Sequence, residues 1–143
     1  MKQDSYLQDI PVMTRDMWTP DLGTAIVNTA PRNHPGKHWI AICKCDRTYY
    51  YFDSSGNPPS KHDFSFGGGH VLHNIQRWQP LGTKTCGLYC LLFLWYARRG
   101  LLESFISRYN RDLAQNDLNT KMFVNRHLVY SLICKLLVKF DQL

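Results

Sequence analysis

The sequence predicts an α+β fold, and three observations carry the prediction. β-Branched runs fill the first third, the stretch from Cys86 is apolar on all sides for the length of a helix, and the tail from Asn125 repeats apolar residues at three- and four-residue spacing. Strands first and helices last are the order of a sheet with its helices segregated from it. The 143 residues read as one domain, residues 1–143, because a chain of this size buries roughly two-thirds of its unfolded surface, enough for one core and not for two. With 44% hydrophobic, 13% aromatic and 20% charged residues, disorder, collagen and coiled coil are excluded.

Residues 1–23 mix Pro, Asp and aromatics without sustained periodicity and read as a loosely structured lead-in with room for one helical turn. Residues 24–82 read as mainly strands and loops. Ala25–Thr29 and Trp39–Cys45 are rich in β-branched residues and flank the breaker stretch APRNHPGK, and Thr48–Phe52 follows closely enough for a tight turn. Asp53–Gly69 concentrates Gly, Pro, Ser and Asn and reads as a long loop. Its triplet Gly67–Gly69 reads as a flexible connection, since no Lys-Ser/Thr and helix follow as a phosphate-binding loop requires. A short strand is expected around Val71–Ile75.

Residues 83–143 read as mainly helical. The run CGLYCLLFLWYA ends at Arg98 and Arg99, which suit a helix C-terminus, and Gly100 suits the cap beyond it. A helix apolar all round lies inside the domain. Leu101–Arg108 continues helically, and Asn125–Phe140 sets Leu128, Leu132, Leu136 and Phe140 on one face with Arg126, Lys135 and Lys139 off it.

The net charge is +6 from 17 basic and 11 acidic residues, and eight basic against four acidic residues lie from Arg98 onward. That excess reads either as the solvated faces of terminal helices or as attraction to a polyanion. Five cysteines, an odd number, with no basic and then apolar leader, point to a reducing compartment without a disulfide framework. The longest apolar run, Leu88 to Ala97, is ten residues, where a membrane span needs about twenty, so no membrane partner is expected.

Cys86 stands at the start of the buried helix, where unpaired N–H groups and the macrodipole favour a thiolate; the alternative is a small core residue. His38, after a Pro-Gly turn and before a strand, can face that helix end across a cleft, and Asp53 at the end of the neighbouring strand can orient the imidazole. Gln79 lies seven residues before Cys86 and can fold its amide back as an oxyanion donor together with the Cys86 N–H, with Gln76 as the alternative. A rival pattern is His70, His73, Cys86 and Cys90, whose spacing is close to that of a structural zinc site. Cys43 and Cys45 point to one face of their strand and read as core.

The order His38-Trp39, Asp53, Gln79, Cys86-Gly87, in AIVNTAPRNHPGKHWIAI, YYFDSSGNPP and QPLGTKTCGLYCLLFL, closely resembles the adenovirus-type processing cysteine proteases, the adenains, and especially their Maverick/Polinton and related DNA-virus versions. Ulp-type SUMO proteases are more distant kin. The likeness covers roughly residues 24–130 and extends to the tail NDLNTKMFVNRHL. It implies a papain-like, adenain-type fold, with a sheet against a buried central helix that carries the nucleophile. It implies Cys86 as nucleophile, His38 as base and acid, Asp53 as orienter, Gln79 as oxyanion donor, and Trp39 and Gly87 beside the substrate.

The resemblance further implies an endopeptidase that cleaves viral or mobile-element precursors near Gly in the host nucleus or virion, as a monomer, with no metal or cofactor. DNA would bind through the basic C-terminal half. The adenovirus enzymes are longer at the N-terminus, and their disulfide-linked activator uses a cysteine in a stretch that here reads SFGGGHVLH; any activating peptide is therefore expected to bind non-covalently. The alternatives are a deubiquitinase- or deSUMOylase-like isopeptidase and a non-enzymatic, zinc-stabilised basic binding module.

Overall fold

The computed structural model describes residue 7, residues 9–30 and residues 38–128. Five strands form one sheet in sequential order: β1 (Val12–Thr14), β2 (Ala25–Asn28), β3 (Trp39–Cys45), β4 (Thr48–Phe52) and β5 (His70–His73). The middle of the sheet is antiparallel, with Asn28 opposite Trp39 and Cys45 opposite Thr48. Both edges are parallel: β1 runs alongside β2 from Val12 opposite Ile26, and β5 alongside β4 from Thr48 opposite His70. Asp46 adopts a positive φ of 54° in the two-residue turn between β3 and β4, the backbone such hairpins require. A parallel neighbour cannot be reached by a hairpin and needs a crossover, which is why residues 15–24 and 53–69 each make an excursion before the next strand.

Both faces of the sheet are buried. Alternation along β3 sends Trp39, Ala41 and Cys43 to one face, where they meet Phe52 and the helices, and Ile40 and Ile42 to the other. The second face is covered by the two crossovers. Trp18 packs against Phe66 with ring centroids 5.3 Å apart, and Phe64 against Tyr51 at 5.4 Å. The Asp53–Gly69 segment is therefore a packed cover with a short 3-10 turn at Pro59–His62, while Gly67 and Gly68 of the glycine triplet lie in an exposed turn with nothing within 4 Å of where a Cβ would stand. Gly69 sits so close to Tyr49 that a Cβ there would lie 2.5 Å from the ring. Likewise the lead-in holds β1 and two 3-10 turns, at Arg15–Met17 and Pro20–Leu22, which its weak periodicity did not reveal.

On the first face lies α1 (Cys86–Ala97), buried from Tyr89 through Leu94. Phe93 stacks on Phe52 at 5.1 Å. Gly100 at φ 71° ends the helix, and Leu101 N–H returns to the Tyr96 carbonyl at 2.9 Å, the closing bond of a left-handed glycine cap. Next come α2 (Leu102–Ser107), whose Phe105 stacks on Trp78 at 4.5 Å, and α3 (Leu113–His127), which packs on α1. The helix expected over Asn125–Phe140 is corrected at its start: α3 begins at Leu113, capped by the Asp112 carboxylate on Ala114 N–H, and closes at Leu128; residues 129–140 lie outside the described residues. The buried positions of α3 include Asn116, Asp117 and Thr120, so hydrophobic periodicity could not announce it. Among the described residues no helix is long and apolar enough to cross a membrane.

Candidate active site

Three of the residues singled out by their order meet where the ends of β3 and β4 face the start of α1. His38 directly precedes β3, Asp53 directly follows β4, and Cys86 is the first residue of α1. His38 Nε2 lies 2.6 Å from Asp53 Oδ1, with the imidazole 17% exposed and the carboxylate wholly buried. Cys86 is the other group whose hydrogen bond and charge act on the imidazole. Burial is the strongest influence on His38 and pulls its pKa down. Its hydrogen bonds to Asp53 and Cys86, and their charges, outweigh that and raise it from 6.5 to about 9. The imidazole is therefore protonated at neutral pH.

The acid is held from several sides. Asp53 Oδ1 also accepts from Ser55 N–H at 2.7 Å. Asn74 reads the Asp53 main chain in both directions: its Oδ1 accepts from Asp53 N–H at 3.0 Å, and its Nδ2 donates to the Asp53 carbonyl at 2.6 Å. Gly56, at φ 80°, lets this turn come within van der Waals range of Gln76, whose carbonyl carbon would be 2.9 Å from a Cβ. Tyr51, two residues before Asp53, stays a neutral phenol, because burial and then the Asp53 charge push its pKa up.

Gln79 is buried and Gln76 exposed. The Gln79 amide is fixed at both ends, its Oε1 accepting from Ser54 Oγ at 2.6 Å and its Nε2 donating to the Thr83 carbonyl at 2.7 Å. Ser54 also receives the Trp78 and Gln79 N–H groups on its carbonyl at 2.8 and 3.0 Å, so the residue after the acid places the loop that carries the amide. Trp39 is buried in the core shared with α1, and it offers Cys86 its main-chain N–H, 3.4 Å from Sγ. Gly87 is buried in the first turn of α1.

The zinc alternative is not assembled: among the described residues no three His, Cys, Asp or Glu side chains gather as a metal ion would need, and His70 and His73 are exposed on β5. Of the two strand cysteines only Cys43 is core. Cys45 is exposed, because the pair lies at the end of β3, where the sheet outruns its helical cover. The basic residues are partly committed: Arg99 lies 3.5 Å over the Trp95 ring, and Arg98 reaches Asp9 at 3.4 Å. Sequence reasoning missed Asn74, Ser54 and Asp117, since a lone polar residue after a strand or inside a helix carries no pattern until its partner is known.

A thiol at a helix start, an imidazole and a buried carboxylate form the constellation through which a cysteine can act as a nucleophile. The chain is similar in sequence to adenovirus proteases. It is similar to the protease of snake adenovirus serotype 1, 33% identical over an alignment of 93 positions that takes in 52% of this chain and 46% of the relative. It is similar also to the protease of porcine adenovirus A serotype 3, 32% identical over 49% of this chain and 44% of the relative, and to that of bovine adenovirus 7, 31% identical over 50% and 45%. The chain thus spans about half the length of the curated relatives it matches. No protein-family model matches the chain.

Proposed function

We propose that the chain is a cysteine endopeptidase of adenain-type fold, with Cys86 as nucleophile, His38 as general base and acid, Asp53 as its orienter, and Gln79 with the Cys86 N–H as oxyanion donors. The observation that carries this reading is the 2.6 Å bond between His38 and the buried Asp53 beside a cysteine that opens a helix. Cys86 attacks the scissile carbonyl as its thiolate, the C–N bond breaks as His38 gives its proton to the leaving amine, and His38 then accepts a proton from the water that releases the acyl group. The scheme uses side chains, the Cys86 main-chain N–H and water. The main chain of Trp39 and the side-chain-free Gly87 border the reacting carbonyl.

The likeness to adenovirus proteases supports proteolysis in a viral setting. We propose precursor polypeptides as substrates, cut beside small residues such as Gly, in the virion or host nucleus, by residues 1–143 acting as one monomeric domain. The exposed basic residues of the C-terminal half would meet DNA, and any activating peptide would bind without a disulfide. The test is labelling by a Gly-Gly peptide vinyl sulfone. The expected result is that Cys86→Ala abolishes labelling while substitution of Cys43, Cys45, Cys90 or Cys134 does not; equal labelling of wild type and Cys86→Ala would overturn the assignment.

A further inference from the structure

The loop between Trp78 and Thr85 carries Gln79 and runs directly into Cys86, and two adjacent residues of α3 hold its two ends. At the first end, Asn116 Nδ2 donates to the Trp78 carbonyl at 3.2 Å, and its other bonds, Nδ2 to the Asn110 carbonyl and Oδ1 from Asn110 N–H, both at 2.8 Å, fix its orientation. At the second end, Asp117 Oδ1 accepts from Thr85 Oγ1 and from Tyr89 OH, each at 2.8 Å. Asp117 is 7% exposed and Tyr89 fully buried, so these are charge-assisted bonds in a desolvated place, stronger than neutral ones. The single phenolic proton goes to the carboxylate, leaving the Trp78 carbonyl, 3.2 Å away, to Asn116.

Thr85 occupies the N-cap position of α1, yet its side chain makes no capping bond. A threonine there ordinarily accepts from an N–H of the first turn. Here the hydroxyl is turned to a residue of another helix, and its rotamer and the peptide that presents the Cys86 N–H are set by α3. That N–H has no acceptor within the helix.

We propose that Asp117, with Asn116, is a positioning residue for the oxyanion site: by holding Thr85 and Tyr89 it fixes the direction of the Cys86 N–H and the register of the loop that carries Gln79. The proposal rests on the protease reading. It concerns a group that touches neither substrate nor reacting atoms, and its effect belongs to the step in which negative charge develops on the carbonyl oxygen.

The test compares two reactions of one thiol. Alkylation of Cys86 by iodoacetamide forms no oxyanion, whereas hydrolysis of a Gly-Gly aminomethylcoumarin peptide and binding of a Gly-Gly peptide aldehyde both do. Asp117→Ala and Thr85→Ala are expected to lower kcat roughly tenfold to a hundredfold, below the ~10²–10³ lost on deleting a donor outright. Aldehyde binding should weaken in parallel, with KM and alkylation rate within about twofold of wild type. Asp117→Asn, which keeps an acceptor oxygen, should recover most of the activity, and the double variant should be no worse than Asp117→Ala alone, as groups acting through one contact are non-additive.

Thr85→Ala removes only a half-buried hydroxyl and carries the test if Asp117→Ala does not fold. Loss confined to KM, equal loss of alkylation and hydrolysis, or wild-type kcat in Thr85→Ala would overturn the inference. Wild-type protein that is alkylated at Cys86 yet neither hydrolyses the peptide nor binds the aldehyde would overturn the protease reading, and the inference with it.

Discussion

Replacing Asp53 by Asn alters the charge of one group in a wholly buried position and little else. An amide oxygen can still accept from Ser55 N–H and from the imidazole, so the shape survives while the anion is lost. In the wild type His38 titrates at about 9 against 6.5 for an unperturbed imidazole, a difference of about 3 kcal/mol at ~1.4 kcal/mol for each tenfold. The folded-state value is the raised one, so this contribution to stability is fully present below pH 6.5 and is lost as pH rises through about 9. In Asp53→Asn the burial of the imidazole, which lowers its pKa, is opposed by Cys86 and a neutral amide oxygen without the carboxylate charge, and the His38 titration should move down by more than one unit. The assay is the pH dependence of the His38 ring-proton shift, with urea unfolding at pH 6 and pH 9.5. Wild type should lose about 3 kcal/mol of this term between those two pH values, and the variant at least about 1 kcal/mol less. An unchanged His38 titration in Asp53→Asn would refute the assignment of the shift to the carboxylate.

His38→Ala should cost more turnover than Asp53→Asn, since proton transfer itself contributes roughly 10²–10⁴ and an orienter acts only through the imidazole; steady-state hydrolysis of the Gly-Gly peptide decides it, and equal losses would contradict the division of roles. Gly69→Ala should destabilise the fold by about 1–3 kcal/mol through overpacking, because the new Cβ meets a Tyr49 ring whose hydroxyl is bonded to the Pro20 carbonyl at 2.9 Å; a urea midpoint equal to wild type would show that the ring yields. Binding to duplex DNA should be independent of sequence and weaken steeply with salt, and filter binding across ionic strengths that finds none, or finds no salt slope, would return the basic residues to a solvated surface.

The elements that sequence makes legible are those whose side chains face one apolar partner. The runs of β2, β3, β4 and α1 are apolar because each is buried by neighbours of the same kind, and their ends place His38, Asp53 and Cys86. What stays hidden is burial by polar residues or by distant aromatics. α3 hides because Asn116, Asp117 and Thr120 turn inward to hold main chain and hydroxyls. The aromatic cover hides because Trp18, Phe64 and Phe66 are single residues in turn-rich stretches. From the residues alone Gln79 and Gln76 are not separated; in the structure Gln79 is the buried one, bonded to Ser54 twenty-five residues away in the chain, a distance over which no spacing rule reaches.

The parts of the site come from the two sides of the sheet–helix interface, with Trp39 and Cys86 47 residues apart in sequence, and they emerge from the ribosome in a fixed order. A nascent chain that has released the strands holds imidazole and carboxylate without a nucleophile, and one that has released α1 has a thiol beside a loop not yet gripped by α3. The assembly that the protease reading requires is therefore complete only when the last described helix has docked on the loop between Trp78 and Thr85.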